Sequence, residues 1–382
     1  MKYSGSSWVT VGAAGFSAGE ADYTSIAIDA AGTPYVVYED WANSNGATVM
    51  KYNGSAWVLV GSAGFSAAVQ YTTIAIDGSG TPYIAFADGA ASTKASVMKF
   101  NGSSWVNVGA VGFSAGEVYW TSIAIYAGLP SVAYRDHINS DKATLMQFNG
   151  TAWVATGGAG FSASLADHTS LAIDASGNPY VVFSDFNASS AATVMKYNGT
   201  SWVNVGSAGF SSGAVYGCNI AITGATPYVV YQDATGAATV MKYSGSSWVS
   251  VGSTSFSATV QYTDIAIDAS GTPYVVFEEG THSSKATIMK FGTSSEVRNT
   301  TSPAPSCSTF PNPTHNSFTL HLTTLTNEPA TIIITNILGE KVKQLTTSTN
   351  TDTQIQLDSP PGIYFISAVT KDGSANGKIV ME

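Results

Sequence analysis

The phrase MKYSGSSWV stands at positions 1–9 and returns unchanged at 241–249. Near-copies occupy 50–58, 98–106, 146–154 and 195–203, and a decayed one, MKFGTSSEV, occupies 289–297. The tryptophans Trp8, Trp57, Trp105, Trp153, Trp202 and Trp248 fall 49, 48, 48, 49 and 46 residues apart, and Pro34, Pro82, Pro130, Pro179, Pro227 and Pro273 keep nearly the same step. A fixed period in this range means one supersecondary unit copied along the chain. Each copy is too small to bury its own apolar faces and is covered by its neighbours.

Within one copy, residues 71–108, four runs rich in β-branched and aromatic residues follow one another: YTTIAID, TPYIAFAD, ASVMKF and SSWVNV. Turn chemistry separates them, with Asp and Gly in DGSGTP and the dipeptide Asn-Gly, the strongest short hairpin signal. Four antiparallel strands in sequence make a meander, and meanders of this length stacked radially are propeller blades. PYVVYED and ATVMKY carry large apolar groups on both faces, as a sheet packed on both sides requires. The fourth strand alternates, with Val9 and Val11 around Thr10 and with Asn107, Asn204 and Ser250 at the same place elsewhere, so it is expected at the wet outer edge. A β-helix would need shorter coils, and leucine-rich or helical repeats need a helical periodicity that this sequence lacks.

The expected fold class is therefore all-β: a six-bladed β-propeller of four-stranded antiparallel blades, followed by a small C-terminal β-sandwich. Inner strands are expected to start near Tyr23, Tyr71, Trp120, His168, Gly217 and Tyr262. The sixth blade offers three good strands and then GTSSEVRN, with Glu296 at the tryptophan position. The N-terminal SSWVTVG fits that slot, so the last blade is expected to be closed by the N-terminal strand, removing two exposed edges. The expected domains are 1–291, the six-repeat propeller; 292–309, a Ser/Thr/Pro linker; and 310–382, the sandwich.

The copies disagree in an orderly way. Loops joining strands one to two and three to four are nearly uniform, whereas those joining two to three and one blade to the next vary, and variable loops on a rigid scaffold are where binding residues sit. A carboxylate ends every second strand (Asp40, Asp88, Asp136, Asp185, Asp233, Glu279). A ring of acids for a cation or for acid/base work is one reading, but a residue present six times reads better as part of the repeated turn. Departures from the repeat mark the candidate ligand site: Trp120, Arg135 and His137 in the third copy, Asp167, His168 and Phe186 in the fourth, and Trp41 in the first. Aromatic surfaces flanked by Asp, Arg and His suit a sugar or another small ligand. No nucleophile, base and orienting group pair up, so no catalytic residue is assigned. No metal ligand set and no cofactor are expected.

Charge excludes one class of partner. Residues 1–291 hold eighteen acidic against ten basic side chains, and about half of the bases are the third-strand Lys51, Lys99, Lys196, Lys242 and Lys290. Nucleic acid needs the opposite sign on the exposed loops. No apolar run reaches the length of a membrane span. Cys218 and Cys307 form no disulfide framework.

After residue 291 the composition changes. FPNPT, ITNILGEKV, PPGIYFISAV and GKIV follow in order. This stretch resembles the C-terminal sorting domain of the type IX secretion system of Bacteroidetes, through Pro311, Asn312, Pro313, Gly339, Gly362, Tyr364 and Lys378, with Asn316 where a Gly is common. The resemblance implies export, recognition by the type IX machinery at the outer membrane, and a final place outside the cell or on its outer surface. It also implies a cleavable N-terminal signal. The start shows no basic, apolar and small-residue succession, and Met1 coincides with the methionine of the repeat. The start is therefore expected to be an internal methionine or a cut within a longer chain.

The leading functional expectation is a secreted or surface-attached binding or adhesion module, monomeric, with a glycan or surface protein as partner. The alternatives are a secreted polysaccharide-degrading enzyme, a hydrolase or lyase using loop carboxylates, and a structural surface protein.

Overall fold

The computed structural model describes all residues except 1, 4–7, 10, 269, 281–284, 292–305, 325 and 371–372. The chain divides into two compact units, Met1–Gly292 and Thr293–Glu382.

The first unit is a β-propeller of four-stranded antiparallel blades. The second blade, strands Val69–Ile76, Pro82–Asp88, Lys94–Phe100 and Trp105–Asn107, is typical: the strands pair in sequence order, with the tryptophan strand outermost. Uniform turns join the first and second strands. Asp77 accepts from the Ser79 and Thr81 amides, and Gly80 takes a positive φ of 85°, so the turn closes on a side chain as well as on backbone. The strand-end carboxylates also have local work. Asp88 accepts from the Ala90 amide at 3.0 Å and from the Ser96 hydroxyl at 2.8 Å, tying the second strand to the third and capping the short 3₁₀ turn between them. Asp40, Asp136, Asp185, Asp233 and Glu279 each accept from the matching threonine. Six repeated carboxylates are thus turn structure.

The core lies between blades. Val37 and Val49 of the first blade pack with Ile84 and Phe86 of the second, and Trp105 joins them. The tryptophan docking recurs for Trp57, Trp105, Trp153, Trp202 and Trp248. Trp105 donates its indole N–H to the Val60 carbonyl at 2.6 Å and stacks on Phe65 at 4.6 Å. Trp153 does the same with Val108 and Phe113, and Trp248 with Val205 and Phe210. The sequence period is this wedge, repeated.

One expectation is corrected. Among the described residues the Trp8–Val9 strand does not pair with the last blade. It pairs with Lys2–Tyr3, Lys2 opposite Val9 and Tyr3 opposite Trp8, the register of Lys51 opposite Val58 and Tyr52 opposite Trp57. A local hairpin carries a smaller loop-closure cost than pairing with a strand more than 270 residues away. The sixth blade keeps three strands, Val260–Ile267, Pro273–Glu279 and Lys285–Lys290, among the described residues; Glu296 lies outside them. The inner strands start near Tyr23, Tyr71, Trp120, His168 and Tyr262, as expected. Each of these residues sits two positions inside its strand, at a bulge, with φ between 46° and 53°.

The second unit is a β-sandwich. One sheet holds Ser306–Phe310, Ser317–Thr323 and Asp352–Gln356; the other holds Pro329–Thr335, Lys341–Ser348, Gly362–Thr370 and Gly373–Met381. Phe318, Leu320, Ile332, Ile355, Ile366 and Ile379 fill the space between them. The Asn312 side chain clips the sandwich edge, donating to the Lys378 carbonyl at 2.7 Å and accepting from the Val380 amide at 2.9 Å. Tyr364 donates to the Pro360 carbonyl, and Gly339 closes the turn at Asn336 with φ +83°.

Candidate functional site

The bulge builds the site. A left-handed φ is costly for a residue with a β-carbon, about 1–2 kcal/mol, and here it recurs at one position in every blade. A second ladder holds it: the hydroxyl of the next residue in one blade donates to the bulge carbonyl of the blade before. Thr72 reaches the Tyr23 carbonyl, Thr121 that of Tyr71, Thr169 that of Trp120 at 2.6 Å, and Thr263 that of Gly217 at 2.6 Å. Cys218 replaces threonine in the fifth blade and donates to the His168 carbonyl at 3.2 Å. It is buried, and burial pushes its thiol up to about 12, so it is a structural donor and no nucleophile.

With the backbone held this way, the bulge side chains line up. Tyr23 lies 4.8 Å from Tyr71, Tyr71 lies 5.1 Å from Trp120, and Trp120 stacks on His168 at 4.2 Å. Gly217 ends the row, and beyond it Tyr262 is 77% exposed. The result is a crescent of four aromatic rings across four blades. Burial first, then the neighbouring Tyr23 and Tyr119, pushes the Tyr71 phenol up to about 12, leaving it a neutral hydroxyl.

Beside the crescent stands an ionic group at the junction of the third and fourth blades. Arg135 donates to Asp141 at 3.0 Å and across the junction to Asp167 at 3.0 Å, and its guanidinium lies 4.8 Å from the centre of the Tyr119 ring. His137 pairs with Asp141 at 3.2 Å and packs edge-on to Tyr119. Partial burial opposes ionisation of Asp141, but hydrogen bonds from His137 and Arg135 hold its carboxyl below the usual range. Burial, with Arg135 nearby, lowers the His168 pKa against the pull of Asp167, so the imidazole is neutral near pH 7. Among the described residues no group of three or more His, Cys, Asp or Glu is placed to hold a metal ion.

Five of the seven residues expected from the sequence thus meet: Trp120, Arg135, His137, Asp167 and His168. Phe186 and Trp41 do not. They stand in the fourth and first blades where His137 stands in the third, each about half exposed. Trp41 donates to Asp22 at 3.1 Å, and among the described residues neither touches the Arg135 group. Sequence reasoning missed Tyr23, Tyr71, Tyr119 and Asp141. Tyr23 and Tyr71 occupy the repeat position of Trp120, and Tyr119 is the ladder partner of Arg135.

Residues 308–382 match the family described as the secretion system C-terminal sorting domain. That unit carries the chain by the type IX route to the cell surface or the extracellular space. No helix among the described residues is long and apolar enough to cross a membrane. No curated protein matches the chain. Among solved structures, the SapL1 lectin in complex with α-methyl fucoside is similar with a TM-score of 0.50 at 15% identity, over 70% of this chain and 92% of that one. The Aleuria aurantia lectin in complex with Fucα1-6GlcNAc gives 0.49 at 12%, over 71% and 92%. Penicillium chrysogenum α-L-arabinanase complexed with arabinobiose gives 0.47 at 12%, also over 71% and 92%. At these identities the likeness is one of fold.

Proposed function

We propose that the propeller is an extracellular carbohydrate-binding module whose ligand lies on the aromatic crescent. The observation that carries this reading is the run of four adjoining rings, Tyr23, Tyr71, Trp120 and His168, of which the last two stack, bordered by the Arg135–Asp141–Asp167 group. A sugar ring presents C–H bonds to an aromatic face and hydroxyls to charged partners at its rim, and this surface offers both in fixed positions. A hydrolytic role is less well served. Asp141 is held ionised, and both Asp141 and Asp167 already accept from Arg135, so neither suits a general acid. Export belongs to the second unit, where Pro311, Asn312, Pro313, Gly339, Gly362, Tyr364 and Lys378 form the motif read by the secretion machinery, and Asn312 and Lys378 make its closest contact.

The test is glycan-array binding by the full chain beside Trp120→Ala and Arg135→Ala, with circular dichroism confirming the fold of each. Both variants are expected to lose about tenfold or more in affinity. Absence of binding to any glycan, or unchanged binding by both folded variants, would overturn the reading.

A further inference from the structure

Just before the bulge, the first strand of each blade pairs one residue with a residue near the end of the second strand. In the third blade that pair is Tyr119 and Arg135, and in the fourth it is Asp167 and Ser184. In the first blade it is Asp22 and Glu39, and in none of the other five blades are both residues acidic. Like charges directly opposite each other on two strands destabilise a sheet. The first blade carries that cost at the end of the aromatic crescent, and a cation would offset it.

Among the described residues the chain does not supply that cation. Glu39 is 6% exposed and accepts one hydrogen bond, from the neutral side-chain amide of Asn45 at 2.5 Å, and Asp22 accepts one from the Trp41 indole at 3.1 Å. No lysine, arginine or histidine among the described residues pairs with either carboxylate, whereas Asp141 and Asp167 share Arg135. A buried carboxylate without a counter-charge is costly. Burial, joined by the charge of Asp22 and opposed by the Asn45 bond, accordingly raises the Glu39 carboxyl above its ordinary value. Both acids act on Tyr23: burial first, then Glu39 and more weakly Asp22, raise its phenol against a hydrogen bond with Tyr71. Tyr23 is 38% exposed, so this end of the crescent offers solvent an aromatic ring beside two carboxylates. Such surroundings hold an ammonium group, because the ring face attracts the cation and the carboxylates accept its N–H bonds.

We propose that the first-blade end of the crescent, Tyr23 with Asp22 and Glu39, is a subsite for a protonated amine, so that the ligand is an amino sugar with its amine free. The inference rests on the carbohydrate-binding reading above and names the class of sugar. The ammonium group lies against Tyr23 and donates to the two carboxylates, and the rest of the glycan continues over Tyr71 and Trp120 towards His168. Arg135, at the far end, does not oppose it, because its charge is already met by Asp141 and Asp167. For the same reason an acidic sugar is disfavoured: it would have to displace one of those carboxylates to reach the guanidinium. A lysine side chain carries the same charge, but the three further rings of the crescent favour a ligand that is itself a run of rings.

Titration calorimetry of the full chain with a glucosamine oligosaccharide and with its N-acetylated counterpart, at about pH 6 where the free amine is protonated, tests the assignment. The wild type is expected to bind the free-amine form about tenfold or more tightly, and Glu39→Gln and Asp22→Asn are each expected to bring that ratio towards one. A lysine-rich peptide is expected to bind about tenfold or more weakly than the free-amine oligosaccharide. A wild-type ratio of one or below, a ratio that both folded variants leave intact, or a peptide that binds as tightly as the sugar overturns the inference. The ratio is read first on the wild type, so a variant that fails to fold does not shield it. Equal binding of the two oligosaccharides, weakened alike by Trp120→Ala, removes the amine subsite and keeps the carbohydrate-binding reading. Binding of neither removes the subsite, and the glycan array then decides the reading by itself.

Discussion

At the outer wall of the propeller, Trp105 lies flat on Phe65, donates its indole N–H to the Val60 carbonyl and is 8% exposed. At the rim, Trp120 lies between Tyr71 and His168, half-buried, and the work of its position is done by backbone: its carbonyl receives Thr169, and Thr121 reaches the carbonyl before it. The wall position holds tryptophan in each four-stranded blade because the side chain itself is the junction. The rim position holds Tyr, Tyr, Trp, His, Gly and Tyr in turn because the ladder beneath leaves the side chain free to vary. The repeat therefore separates stability from recognition residue by residue.

That contrast has a large expected signature. Trp105→Ala is expected to cost about 3–5 kcal/mol through the cavity it leaves, whereas Trp120→Ala should cost about 1 kcal/mol while impairing ligand binding. Denaturant unfolding of the two variants measures this, and equal costs would break the comparison. A smaller effect separates two copies of one turn. Asp88→Ala removes a cap and a strand tie and should cost about 1–2 kcal/mol. Asp136→Ala should cost less, because Asp136 makes no cap bond and one of its oxygens is buried without a partner. Chemical denaturation of the pair orders them, and the reverse order would show that the turn is not what the carboxylate serves.

The smallest effect concerns pH. His168 has a lowered pKa in the folded state, so between that value and the unfolded value of about 6.5 the unfolded chain binds more protons. Its contribution is present above the unfolded pKa and lost as pH falls through the folded one. Melting temperature should therefore decline as pH falls below about 6.5. His168→Tyr, which installs the residue of the first, second and sixth blades, should flatten that decline; an unchanged slope would remove His168 as its source.

Much of this was legible in the residues. The tryptophan and proline periods reflect wedges and turns that form at one place per blade, and period-two patterns mark strands wherever they lie. The closeness of Arg135 to Asp167 followed from their standing on adjacent copies, one at the end of a second strand and the other at the start of the next first strand. The crescent was not legible as such, because no propensity places tyrosine, tryptophan and histidine at φ near 50°; the neighbouring blade's hydroxyl imposes it. Nor was the fate of the Trp8 strand: SSWV fits the edge of Lys285–Lys290 and the edge of Lys2–Tyr3 equally well by pattern.

The sequence by itself determined a copied four-stranded unit, its turns, its tryptophan wedge and a separate sorting unit, because each depends on interactions within one repeat or within a short motif. Tertiary structure alone decided which strand the Trp8 segment joins, which rings stack at the rim, and that Cys218 serves as a stand-in for threonine. The ring contacts and the Cys218 bond join residues nearly fifty positions apart, and the Trp8 strand has two edges that match it equally, so pattern is silent and geometry chooses.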